Sequence, residues 1–129
     1  MKFVAIVAVL NLANYILVLL SVGRARRIYD VPAPATTGAP EFERALRIQQ
    51  NSLEQLIVFV PSLFLFATYI DPAGAAALGL VFLIGRIIYQ RRYSRGENRG
   101  PGFLLGFVAN IVLLAGTLAG VIWNFSELT

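Results

Sequence analysis

Residues 41–70 read EFERALRIQQNSLEQLIVFVPSLFLFATYI, a stretch that opens as a charged helix and ends as sequence suited to hydrocarbon. Pro40, followed by Glu41 and Glu43, reads as a helix start. Proline fits the first helical position, and carboxylates suit the positive end of the helix dipole. Pro61 is expected to bend the helix without ending it, as membrane helices tolerate. One element thus carries a polar end and a lipid-compatible end.

Moving outward, the apolar signal recurs on both sides. Residues 3–22, FVAIVAVLNLANYILVLLSV, supply about 20 positions, which at roughly 1.5 Å each cross a hydrocarbon core of about 30 Å. Ser21 and Gly23 imitate a signal-peptide cleavage site, but such a peptide needs an apolar core of only about 7–15 residues. The run therefore reads as a spanning helix. Asp71 and Pro72 make a very short turn into residues 73–89, AGAAALGLVFLIGRIIY, whose small residues permit close helix packing. Residues 103–125 form a fourth run, with Gly116 and Gly120 as a GxxxG pair for helix association. Helices are expected over about 3–22, 41–70, 73–93 and 102–125 of a single domain, 1–129. The fold class is all-α, an integral membrane four-helix bundle.

Composition agrees. The 129 residues are 57% hydrophobic and 14% charged, against about 25% charged in soluble domains. So small a chain cannot bury that much apolar surface from water. The net charge of +4 does not signal nucleic acid, because every basic residue except Lys2 and Arg86 lies in or beside two polar stretches, residues 23–40 and 90–102. That placement is topological: both stretches belong in the cytoplasm and both termini outside. With no Cys and no His, disulfides, thiolate nucleophiles, zinc sites and His-based acid/base catalysis drop out. No metal is expected, and any thiol must come from a ligand.

On helix 2, Arg44, Arg47, Asn51 and Glu54 fall within an arc of about 80° at 100° per residue. A charge in mid-membrane costs about 2.5–3.5 kcal/mol and usually faces protein or a water-filled cavity. Glu54 therefore either pairs with Arg47 or Arg86, or anchors a ligand. Arg86, Tyr89 and Tyr93 recur at i, i+3 and i+7, making a second polar face unless the tyrosines belong to an interfacial belt. Arginines suit carboxylates, a glutamate suits an ammonium, and amides and phenols add neutral hydrogen bonds. Arginine beside a thiol favours the reactive thiolate. A small zwitterionic peptide thiol with two carboxylates, such as glutathione, meets this inventory.

TTGAPEFERALRIQQNSLEQL (36–56) and GLVFLIGRIIYQRRY (79–93) resemble the MAPEG superfamily of membrane-associated proteins in eicosanoid and glutathione metabolism, in particular its microsomal glutathione transferase and leukotriene C synthase branches. The likeness covers about residues 24–107 and is bacterial in style. It implies a homotrimer with glutathione between neighbouring subunits on the cytosolic side, and hence a bacterial inner membrane location. Matched positions imply that Arg47, Asn51, Glu54, Tyr89 and Tyr93 line the peptide from one subunit, with Arg26 and Gln49 from the neighbour. Arg99 matches the arginine that activates the thiol, across a one-residue gap, and Arg95 is its rival. Gln55 stands where the nearest branches carry a tyrosine.

The resemblance implies a glutathione transferase acting on lipophilic electrophiles, or a glutathione peroxidase acting on lipid hydroperoxides. A non-catalytic lipid- or glutathione-binding scaffold of the same fold is the alternative, weakened by the retained Arg47, Asn51, Glu54 and Tyr89. A small multidrug transporter would need a carboxylate in helix 1, which has only Asn11, Asn14 and Tyr15 as notable polar residues.

Overall fold

The computed structural model describes residues 1–127. The last two positions of the domain expected over 1–129 lie outside the described residues, as do the Ser126 and Glu127 side chains. Four helices follow in order: α1 (Lys2–Ile28), α2 (Pro40–Tyr69), α3 (Pro72–Ser94) and α4 (Gly100–Glu127). All four are long and apolar enough to cross a membrane.

Helix α1 differs most from expectation, running to Ile28 rather than stopping near Val22. Its extra turns carry Arg26 and Arg27, whose charge favours the negative helix end, and the Tyr29 N–H closes onto the Ala25 carbonyl at 2.9 Å. The connecting loop is correspondingly shorter, covering residues 29–39. Asp30 takes a positive φ of 54° where the chain leaves the helix, a conformation that Asp tolerates better than most residues.

Helix α2 begins at Pro40 with Glu41 and Glu43 in its first turn, and continues through Pro61. The Asp71 side chain caps α3, its Oδ2 accepting from the Gly74 N–H at 2.8 Å. This satisfies one of the free amides of the first turn, so two long helices reverse within two residues. Asn98 acts similarly before α4, its Oδ1 accepting from the Gly100 N–H at 3.0 Å.

Helices α2 and α3 form the centre; α1 packs on both from one side and α4 on both from the other, with no close backbone approach of α1 to α4 among the described residues. The main core joins Val4, Val7, Phe59, Leu63, Phe82 and Leu113. Phe59 and Phe82 stack at 4.0 Å and 6°. Large apolar side chains such as Ile6, Leu20, Ile57, Ile84 and Leu118 point outward, as a lipid solvent allows.

The closest approach is between α3 and α4. A Cβ on Gly102 would stand 2.5 Å from the Tyr89 backbone nitrogen, and one on Gly85 would stand 2.7 Å from the Gly106 nitrogen. Small residues at a membrane interface let backbones approach in this way. The GxxxG pair read from the sequence has another use: Gly116 and Gly120 make room for the side chains of Phe66 in α2 and of Ile70, which caps it. Polar side chains complete the assembly. Asn11 Nδ2 donates to the Val7 and Gly79 carbonyls at 2.9 and 3.3 Å, and Asn110 Nδ2 to Gln55 Oε1 at 3.2 Å. Such interhelical bonds contribute on average about 0.6 kcal/mol each.

Candidate functional site

Because α2 enters the bundle from the end at which α3 leaves it, the polar first half of α2 stands beside the last turns of α3 and the first turn of α4. A cavity of about 440 Å³ opens there, lined by Arg47, Gln50, Asn51 and Glu54 of α2, Tyr89 and Tyr93 of α3, and Arg99, Gly100 and Phe103. Its volume falls in the range of small-molecule sites, about 300–1,000 Å³.

The floor is built around Arg86. This guanidinium is 3% exposed, and its terminal nitrogens donate to Asn51 Oδ1 at 2.8 Å and Ser52 Oγ at 2.9 Å. It also lies 4.3 Å from the centre of the Tyr89 ring, a cation–π contact of about 2 kcal/mol when desolvated. Arg86 thus pairs with an amide and a hydroxyl, and the ion pair with Glu54 offered by the sequence does not form. Tyr89 meets Tyr93 edge-on at 5.6 Å and Phe103 at 6.2 Å. The two tyrosines form one wall of the cavity.

The rim is charged and open. Arg99 lies over the Tyr93 ring at 4.3 Å. Arg47 and Glu54 are exposed side chains of this wall, and neither has a hydrogen-bond or ion-pair partner among the described residues. Two cations, one carboxylate, an amide pair and two phenols therefore converge on one open space.

Other residues singled out from the sequence lie elsewhere within the protomer. Arg26 donates to the Ala35 carbonyl at 2.8 Å and the Val31 carbonyl at 3.3 Å, and stacks over Phe42 at 4.8 Å; it organises the α1–α2 loop. Gln49 turns toward α1, its Nε2 donating to Tyr15 Oη at 2.8 Å. Arg95 forms the C-terminal cap of α3, its backbone N–H reaching the Arg91 carbonyl at 3.3 Å. Arg44, on the same arc as Arg47, stands beyond the cavity near Gly96, with a buried Nε that lacks a partner. Gln55, the departure from the expected pattern, points to Asn110 rather than the cavity.

Sequence reasoning missed Gln50, Gly100 and Phe103 as lining residues. Gln50 precedes Glu54 by one helical turn, so i, i+4 spacing was the available signal for it. Phe103 carried none beyond hydrophobicity.

Residues 4–119 match the MAPEG family. The chain is 45% identical over 126 residues to an uncharacterized protein of Synechocystis sp., covering 97% of this chain and 92% of that one. It is 40% identical to human microsomal glutathione S-transferase 2 over 85% of this chain and 77% of that protein. Guinea pig leukotriene C4 synthase is 42% identical over 61% of this chain and 53% of its own length. With four membrane-length helices and a family match over nearly its whole length, this chain is an integral, multi-pass membrane protein of the MAPEG family.

Proposed function

We propose that the cavity binds glutathione and that the protein is a membrane glutathione transferase. The observation that carries this reading is the convergence of Arg47, Glu54 and Arg99 on one open cavity, with the carboxylate unpaired by the protein. The names of the relatives, a microsomal glutathione S-transferase and a leukotriene C4 synthase, point the same way.

In this reading Glu54 receives the ammonium of the tripeptide, Arg47 one of its carboxylates, and Asn51, Tyr89 and Tyr93 its amides. Arg99, at the mouth against Tyr93, stabilises the thiolate. One unit of thiol pKa corresponds to about 1.4 kcal/mol of differential stabilisation, within reach of a single arginine. The thiolate then attacks an electrophilic carbon of a lipophilic substrate arriving from the bilayer, forming a C–S bond as a leaving group departs with its electron pair or as an activated double bond or epoxide opens and takes up a proton. Reduction of a lipid hydroperoxide would use the same thiolate, with a second glutathione closing the disulfide.

The proposed assembly is a homotrimer in which Arg26 and Gln49 of one subunit complete the cavity of the next. Arg26 spends one terminal nitrogen on loop carbonyls, and a guanidinium has further donors to offer. The proposed orientation has the cavity end and both basic loops in the cytoplasm of a bacterial cell, with both termini across the inner membrane.

The test is an ultraviolet difference spectrum of the purified protein with glutathione, because thiolate absorbs where thiol does not. A saturable thiolate signal at neutral pH, absent in Arg99→Ala, is the expected result. No signal together with no binding would overturn the reading.

A further inference from the structure

A second concavity lies on another side of α2. It has a volume of about 400 Å³ and sits between α1, α2 and α3. Glu41, Ala45 and Ile48 supply its α2 wall at i, i+4 and i+7, roughly 120° around the helix from the Arg47, Asn51 and Glu54 face. It is a separate site that no part of the glutathione reading uses.

The groove is graded from polar to apolar. Glu41 is in the first turn of α2, while Arg91 and Ser94 are in the last turns of α3. Inward lie Leu17, Val18, Ile48 and Ile87, with Asn14 and Gln90 among them. From Ser21 to Asn14, or from Ser94 to Ile87, is seven residues, a depth of roughly 10 Å at 1.5 Å per residue. A membrane has interfacial layers of roughly 5–8 Å on each side of its hydrocarbon core. A groove of this depth that opens at the headgroup layer reaches the acyl region.

Its polar groups are of two kinds. Glu41 and Arg91 bring opposite charges to one mouth yet form no ion pair among the described residues, leaving each for the opposite end of a zwitterion. Ser21 Oγ and Ser94 Oγ donate back to the carbonyls of Leu17 at 3.0 Å and Arg91 at 2.9 Å. Their remaining lone pairs can only accept, which suits an ammonium bearing N–H groups and not a trimethylammonium. Deeper, Gln90 Nε2 is buried without a partner, one helical turn in from Ser94.

We propose that this groove is a phospholipid site selective for a zwitterionic headgroup with a primary ammonium, such as phosphatidylethanolamine. Its phosphate meets Arg91, its ammonium meets Glu41 and the two serine oxygens, and an ester carbonyl meets Gln90. One acyl chain runs along Leu17 and Ile87 into the bilayer.

Native mass spectrometry of the delipidated full chain, titrated with phosphatidylethanolamine, phosphatidylcholine and phosphatidylglycerol of identical acyl chains, tests this directly. Phosphatidylethanolamine should be retained over phosphatidylcholine by on the order of tenfold. Glu41→Gln should abolish that preference, and Arg91→Gln should weaken retention of both zwitterionic lipids. Ser21→Trp, on the exposed side of α1, should block the mouth and release all three. Equal retention of the ethanolamine and choline lipids by the parent protein would overturn the proposal without recourse to any variant. So would a preference for phosphatidylglycerol, or unchanged ethanolamine-lipid binding in a folded Glu41→Gln or Ser21→Trp protein.

Discussion

Alanine at position 102 would carry its Cβ to 2.5 Å from the Tyr89 backbone nitrogen and 2.8 Å from the Gly85 carbonyl oxygen. Both neighbours are main chain of another helix, so no side chain can rotate away. Reaching the 3.4 Å at which ordinary contact begins requires α3 and α4 to part by roughly 0.9 Å. Overpacking of this kind costs about 1–3 kcal/mol, whereas replacing a helical glycine by alanine returns up to about 1 kcal/mol. The clash wins, and a net loss of about 1–2 kcal/mol is expected in reversible unfolding in detergent. The same chain supplies the controls. Alanine at Gly106 would meet the Arg86 Cδ at 3.5 Å and the Phe82 ring at 3.6 and 3.8 Å, all ordinary contacts, and alanine at Gly23 would meet nothing within 4 Å. Both should be neutral or stabilising by up to about 1 kcal/mol. Because Tyr89 and Phe103 line the cavity from the two parting helices, Gly102→Ala should also slow turnover. A displacement near 1 Å can cost about a hundredfold. If Gly102→Ala is as stable as Gly106→Ala, the backbone contact does not set the α3–α4 spacing and the reasoning fails.

Glu54→Gln should leave thermal stability nearly unchanged, since Glu54 has no protein partner. It should weaken glutathione binding by the roughly 1.5–3 kcal/mol of a charged hydrogen bond, read by calorimetry; unaltered affinity would remove Glu54 from the site. Arg99→Ala should keep glutathione bound but raise its thiol pKa. Loss of the positive charge disfavours the thiolate, so activity falls at neutral pH and recovers as pH rises through the new value. Arg95→Ala should leave the pH–rate profile in place, and a shifted profile there instead would exchange the two roles. Phe59→Ala removes a fully buried ring stacked on Phe82 and should cost about 3–5 kcal/mol in the same unfolding assay, with little change if the core closes over the gap.

Hydropathy locates spans well and helix ends less well. The starts of α2 and α3 follow from Pro40 and Asp71, local signals with local causes. The end of α1 was not legible, because the chain leaves the apolar run at Val22 while its backbone stays helical to Ile28; polarity marks departure from lipid, not the end of hydrogen bonding. The arc of Arg47, Asn51 and Glu54 followed from helix geometry alone, and the structure brings these three residues to one cavity. What Arg86 binds could not be read in the same way. Glu54 offered the right charge, but the choice of Asn51 and Ser52 depends on the rotation of α3 against α2, which no spacing encodes. The glycines tell a similar story. The GxxxG spacing at Gly116 and Gly120 flagged one interface, yet the backbone contact is made by Gly85, Gly102 and Gly106, because spacing within a helix does not name the partner facing it.

Among the described residues the α1 and α4 backbones make no close approach, so the bundle is arranged as two leaves on a shared spine. The cavity uses the spine and the α4 leaf, and the groove uses the spine and the α1 leaf. Val4 and Val7 of α1 and Leu113 of α4 nonetheless share one buried core across that spine. Both concavities are therefore linked through the spine that they share. The residue best placed to transmit a movement between them is Arg86, buried between the two spine helices and bonded to both Asn51 and Ser52.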